Sequence, residues 1–95
     1  GGYTVVVDRS ALGSSTAAFV ELYCRNRTSP TDILAAVRDV PEVTSAFTGS
    51  GEADALLRLQ TSSMAALEQA IEQIRSHPNT ERTKSVIVLS TLMDR

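Results

Sequence analysis

Tryptophan is absent, and one cysteine, one histidine, two phenylalanines and two tyrosines are all that the 95 residues hold of several chemistry-bearing types. Each shortage excludes something. A single cysteine, Cys24, makes no internal disulfide, and with only His77 to join it there is no ligand set for a structural zinc site. Such cysteine usage fits a reducing, cytoplasmic setting. Lysine and arginine number 9 against 11 acidic residues, a net charge of -2 with a pI near 5.2, so no general positive field draws in a phosphate backbone. No apolar run approaches the roughly 20 residues of a membrane span. The opening Gly1-Gly2-Tyr3 has neither a start Met nor a basic leader, so the chain reads as a piece cut from a longer protein. Its length leaves room for one domain.

What is present is aliphatic. At 42% hydrophobic and 21% charged residues, with a mean hydropathy of -0.03, the composition is that of a folded chain. Its large rings are Tyr3, Phe19, Tyr23 and Phe47, so Val, Ile, Leu and Ala must build the core. A core that small calls for support from a partner.

Residues 1–16 read as an arm: a β-branched run from Tyr3 to Val7, then a polar linker through Gly13 and two serines. Ala17 to Cys24 alternates Ala18, Val20, Leu22, Cys24 against Phe19, Glu21, Tyr23, which reads as a central strand. Ser29 before Pro30 is an N-cap with proline at the first helical position, and Asp32 suits the first turn of the dipole. The apolar set Ile33, Leu34, Val37, Val40 predicts about three helical turns ending at Pro41. Glu42 to Thr48 and Ala53 to Gln60 read as two strands joined by a bend containing Gly49, Ser50 and Gly51. Thr61, Ser62 and Ser63 offer caps for a second helix whose apolar stripe is Met64, Leu67, Ile71 and Ile74, ending near His77-Pro78. Thr83 to Met93 reads as a long final strand, apolar on both faces.

Strand, helix, strand, strand, helix, strand over residues 17–95 is the order of an α+β, ferredoxin-like βαββαβ sandwich. Two helices cover one face of such a sheet. The other face carries residues such as Phe19 and Val86, so the sheet is expected to dimerise through it in an isologous contact.

Three motifs stand in order along this pattern. Gly2-Tyr3 with Val5 to Asp8 and Leu12-Gly13 is one; Pro41-x-Val43, a strand, and Ser50-Gly51-Glu52-Ala53-Asp54-Ala55-Leu56-Leu57 is the second; Arg82-Thr83-Lys84-Ser85-Val86-Ile87-Val88-Leu89 is the third. Together they resemble the Lrp/AsnC family of transcriptional regulators, over essentially the whole chain. The resemblance implies a C-terminal effector-binding and oligomerisation domain that is not an enzyme and uses no cofactor or metal. It implies dimers that assemble further, commonly four to an octamer, with a small effector of amino-acid type bound between dimers. DNA would be contacted by an N-terminal helix-turn-helix outside this chain, not by this fragment, and no membrane is involved. The ligand-binding residues implied are Ser50, Gly51, Glu52, Ala53, Asp54, Thr83 and Ser85. The hairpin departs from the family where Ala53 replaces an aromatic residue common before the motif aspartate, and where Gly49 adds a glycine.

Physically, Gly49 and Gly51 permit positive φ, so that backbone N–H groups can converge on a ligand carboxylate while Asp54 accepts its ammonium. The plainer alternative is that the glycines only turn the hairpin and Asp54 is a turn or cap residue, removable at little cost to the fold. Cys24 and His77 lack the third orienting group that nucleophilic catalysis requires. Glu68 and Glu72 read as a solvated i, i+4 pair, and Arg25 and Arg27 as a solvated loop or a contact to a neighbouring subunit. A stand-alone sensor, a regulatory module of a metabolic enzyme and a small dimeric ferredoxin-like enzyme are the rival readings. The encoded sequence upstream of Gly1 separates the first two from a regulator; a roomy pocket with polar catalytic groups would mark the enzyme.

Overall fold

The computed structural model describes residues 16–95. The expected arm therefore lies outside the described residues, except that Thr16 is the first residue of strand β1, Thr16–Cys24. Helix α1 spans Pro30–Val37, β2 Val43–Phe47, β3 Ala55–Thr61, helix α2 Met64–Arg75 and β4 Thr80–Ile87. Both helices start as the serines dictate: the Ser29 hydroxyl accepts the Asp32 N–H at 3.2 Å and the Ser63 hydroxyl accepts the Ala66 N–H at 3.1 Å.

The four strands pair antiparallel in the order β2-β3-β1-β4. Each helix links two parallel strands that are not neighbours: β1 and β2 flank β3, and β3 and β4 flank β1. This is the split βαβ arrangement expected. Strand alternation then sorts the side chains. Ala18, Val20 and Leu22 of β1 and Ala55, Leu57 and Leu59 of β3 are buried against Ile33 and Val37 of α1 and Leu67, Ala70 and Ile74 of α2. On the opposite face Phe19 pairs with Arg58 and Val86, and Phe47 with Leu56. Those four apolar residues keep 38 to 61% of their surface exposed.

The structure corrects three boundaries. Helix α1 stops at Val37, where the Arg38 N–H closes on the Leu34 carbonyl. Val40 is buried from the following turn, its N–H bonded to the Val37 carbonyl, and Leu34 faces outward, half exposed. In α2 the buried stripe is Leu67, Ala70, Ile74, the i, i+3, i+7 set; Met64 heads the helix and is 46% exposed. Strand β4 begins three residues early and ends six early. Thr80 pairs with Cys24 and its hydroxyl donates to the Ile74 carbonyl at 2.8 Å, tying the strand start to α2. After Val88 bonds the Ala17 carbonyl, β1 is nearly exhausted as a partner, and Leu89, Leu92 and Met93 are left exposed.

Leu57 has no exposed surface and Leu34 has half of its own. Leu57→Ala is expected to cost about 2–5 kcal/mol, the range for a buried leucine, and Leu34→Ala no more than about 1. Chemical denaturation of both variants at one protein concentration checks the pair.

Candidate functional site

Residues 48–54 carry the chain from β2 into β3 through a series of bends rather than a two-residue turn. That length removes the need for left-handed backbone, and neither Gly49 nor Gly51 adopts it, contrary to expectation. A Cβ built on either glycine meets nothing within 4 Å, so both flank open space. Ser50, Gly51 and Glu52 are exposed, while Ala53 and Asp54 are half-buried.

Asp54 is fixed to the end of β1. Its N–H donates to the Leu22 carbonyl at 2.9 Å, and its Oδ2 accepts the Cys24 N–H at 2.7 Å. The register shift in the β1–β4 pairing falls at this same place, between Tyr23 and Cys24. A short bond to a carboxylate is worth about 1.5–3 kcal/mol net, so Asp54 is a structural clamp whatever else it does. One carboxylate oxygen remains for a second donor.

Neighbouring groups set the electrostatics. Burial pushes the Cys24 thiol up, and the Asp54 charge pushes it further the same way, so the thiol stays protonated and is a poor nucleophile. The only imidazole, His77, uses Nδ1 to accept the Asn79 N–H at 3.1 Å. Across the open face, the Tyr23 hydroxyl donates to Glu21 Oε1 at 2.9 Å; that bond, more than anything else, raises its pKa. The Arg82 guanidinium lies 3.9 Å over the Tyr23 ring.

Thr83 and Ser85, which sequence grouped with the hairpin, lie elsewhere in the chain. Thr83 pairs with Leu22 and Ser85 with Val20, so both hydroxyls are on the helix-covered side of edge strand β4. They line a recess of about 450 Å³ with Ile71, Glu72 and Arg75 of α2 and Arg25 of the loop after β1. No hairpin residue lines it. Asp54 and Thr83 flank Leu22 from opposite sides, two strand spacings apart, or about 10 Å between backbones. Arg25 and Arg75 were not singled out as ligand contacts from sequence. The signal was there in β4, whose covered face carries Thr83 and Ser85 where β1 and β3 carry leucine, valine and alanine.

Residues 17–95 match the family model described as the Lrp/AsnC ligand binding domain. The chain is 47% identical over 94 residues to the HTH-type transcriptional regulator Rv2324 of Mycobacterium tuberculosis, covering 99% of this chain and 64% of that protein. It is 32% identical to the HTH-type regulator LrpA of the same organism, over 95% of this chain and 59% of the relative. The chain thus spans about three fifths of the length of the curated relatives it matches. Among solved structures, the feast or famine regulatory protein Rv3291c of M. tuberculosis, complexed with L-methionine, superposes with a TM-score of 0.77 at 31% identity, covering 98% of this chain and 63% of that one. Escherichia coli AsnC shares the fold with a TM-score of 0.84 at 23% identity, over 99% of this chain and 64% of that one. With a family match over nearly its whole length, this chain belongs to the Lrp/AsnC family, of which it is a ligand binding domain.

Proposed function

We propose that the chain is the effector-sensing and oligomerisation part of a transcriptional regulator and performs no catalysis of its own. The observation that carries this reading is the likeness, over nearly the whole chain, to a regulator complexed with an amino acid. The effector is a free amino acid held at the hairpin. Asp54 uses the carboxylate oxygen not given to Cys24 to accept the ligand ammonium, and the backbone N–H groups of Ser50 to Glu52 meet its carboxylate. Open space beside Gly49 and Gly51 admits the ligand to the backbone, and Ala53 leaves room where a ring would stand.

The open sheet face with Phe19, Leu56 and Val86 packs on a second copy, and dimers meet near their hairpins to form larger rings. An effector that touches two dimers favours one assembly over another by the difference in its affinity for the two, which makes the coupling allosteric. DNA is contacted by a helix-turn-helix in the part of the relatives that this chain does not span, and the setting is the cytoplasm.

A thermal-shift screen of the amino acids tests the reading. A ligand at a hundred times its dissociation constant adds about 2.7 kcal/mol of stability, a clear upward shift. Asp54→Asn is the discriminating variant. Its amide oxygen still accepts the Cys24 N–H, so the fold holds, whereas Asp54→Ala loses about 1–3 kcal/mol of stability as the clamp goes. Removing the charge that meets the ammonium costs on the order of 2–5 kcal/mol of binding, or roughly thirty- to several-thousand-fold in calorimetric affinity. Equal affinities for wild type and Asp54→Asn would place the ligand elsewhere. In a gel shift at physiological salt this chain, acidic overall, is expected to leave duplex DNA unbound; micromolar retardation would contradict the division of labour.

A further inference from the structure

The open sheet face is not uniformly apolar. Two charged residues stand on its interior strands, Glu21 on β1 and Arg58 on β3. The strand pairing fixes their places: Glu21 lies opposite Leu56 and Phe19 opposite Arg58, a quartet with its charges on one diagonal and its apolar side chains on the other. Glu21 is half-buried and Arg58 exposed. The Tyr23 hydroxyl donates to Oε1 of Glu21 at 2.9 Å, which leaves Oε2 for a further donor. The Arg58 side chain forms neither an ion pair nor a hydrogen bond with any described residue. Water satisfies its guanidinium in the single chain, and covering the face strips that water away.

We propose that where two copies meet through this face, Arg58 of each binds Glu21 of the partner subunit, giving two salt bridges related by the two-fold axis. The proposal rests on the reading above that a second copy covers the face, and it adds what holds the two copies in register. Face-to-face packing of identical sheets puts the axis in the plane between them. An axis along the Phe19–Leu56 diagonal sets each of those apolar residues on its own counterpart and brings both Arg58–Glu21 pairs together at once. Any other register leaves Arg58 dehydrated without an acceptor, so the pairs select one arrangement as much as they stabilise it. Other charges are less well placed. Lys84, opposite Glu21, and Arg82, over the Tyr23 ring, belong to edge strand β4, from which a long side chain reaches water past the rim. Glu52 is exposed on the hairpin, before β3 begins. The planar guanidinium fork also suits an interface carboxylate better than an ammonium does.

Sedimentation equilibrium of two charge reversals, each alone and then mixed, tests the pair. Glu21→Arg sets a cation against Arg58 of the partner subunit, and Arg58→Glu sets an anion against Glu21 of the partner subunit. Each variant alone is expected to dimerise about a hundredfold or more weaker than the wild type, the scale of like charges juxtaposed across a contact. In an equal mixture the two variants are complementary at both pairs, and the affinity is expected to return to within about tenfold of the wild type. Damage to the fold of either chain is not repaired by mixing, so recovery reports the contact itself. Should a reversed chain fail to fold by circular dichroism, Glu21→Gln and Arg58→Gln take its place; both keep the side-chain length, and Glu21→Gln still accepts the Tyr23 hydroxyl. Combined in one chain, they are expected to weaken the dimer by less than the product of their single effects. A wild type that stays monomeric overturns the reading of the covered face and the pair with it. A wild-type dimer accompanied by reversed chains that assemble equally well, by a mixture no tighter than its components, or by neutral variants whose effects simply multiply, overturns the pair alone.

Discussion

A four-stranded sheet has two faces, and two helices are enough for one. Everything else in this domain follows from that shortage. The covered side takes up the small and branched residues of β1 and β3 and leaves no exposed surface on Ala18, Val20, Leu57 or Leu59. The other side is left with Phe19, Phe47, Leu56 and Val86, beyond the scattered apolar exposure normal for a soluble surface. A second copy on that face would bury this patch and add to the stability that the helix-covered core supplies.

The same economy puts the chemistry at the ends and edges of the sheet. The core is aliphatic and fully satisfied, with no unpartnered buried side-chain polar atom among the described residues. Polar groups with spare hydrogen-bonding capacity therefore lie where β1 ends and where β4 has no further strand beside it. Asp54 closes the first of these places by clamping Cys24 and Leu22, and it keeps one oxygen for another donor. The edge of β4 opens the second place, because α2 does not reach across to Thr83 and Ser85 and leaves their hydroxyls facing a recess. Proposed assembly and proposed ligand binding are linked through this layout, since β2 and β3, which the hairpin joins, also carry Phe47 and Leu56 of the open face.

Much of this was legible in the residues. Ser29-Pro30 placed the start of α1 to the residue because a side-chain cap has a fixed geometry, Thr61, Ser62 and Ser63 narrowed the start of α2 to three positions, of which Ser63 is the cap, and the alternation in β1 separated the buried Ala18, Val20 and Leu22 from the open face. The helix and strand ends were less legible. Leu34 fits an apolar period but lies off the stripe that buries Ile33 and Val37, Met64 is the first residue of its helix, and β4 stops because β1 runs out, which no local pattern records. At the hairpin, the glycines marked the bend but not its backbone: the chain turns without positive φ, and they leave open space instead. The bond from Cys24 to Asp54 joins residues 30 apart in sequence, so the clamp was visible only once the sheet had been assembled. The recess was missed for the same reason, since Arg25, Arg75 and Thr83 come together only through the crossover of α2.

Sedimentation equilibrium of the wild-type chain and of Phe19→Glu tests the constraint on which the account rests. Phe19 lies centrally on the open face, between Arg58 and Val86. If that face is covered by a second copy, the wild type sediments at micromolar concentration as a dimer or a multiple of it, at least twice the 10.2 kDa of one chain. At a covered contact the carboxylate loses its hydration and the packing of the ring is lost, which Arg58 opposite it offsets only in part, so Phe19→Glu shifts the population toward the monomer. A wild-type chain that sediments as a clean 10.2 kDa monomer, or a Phe19→Glu chain that assembles as the wild type does, would contradict the account.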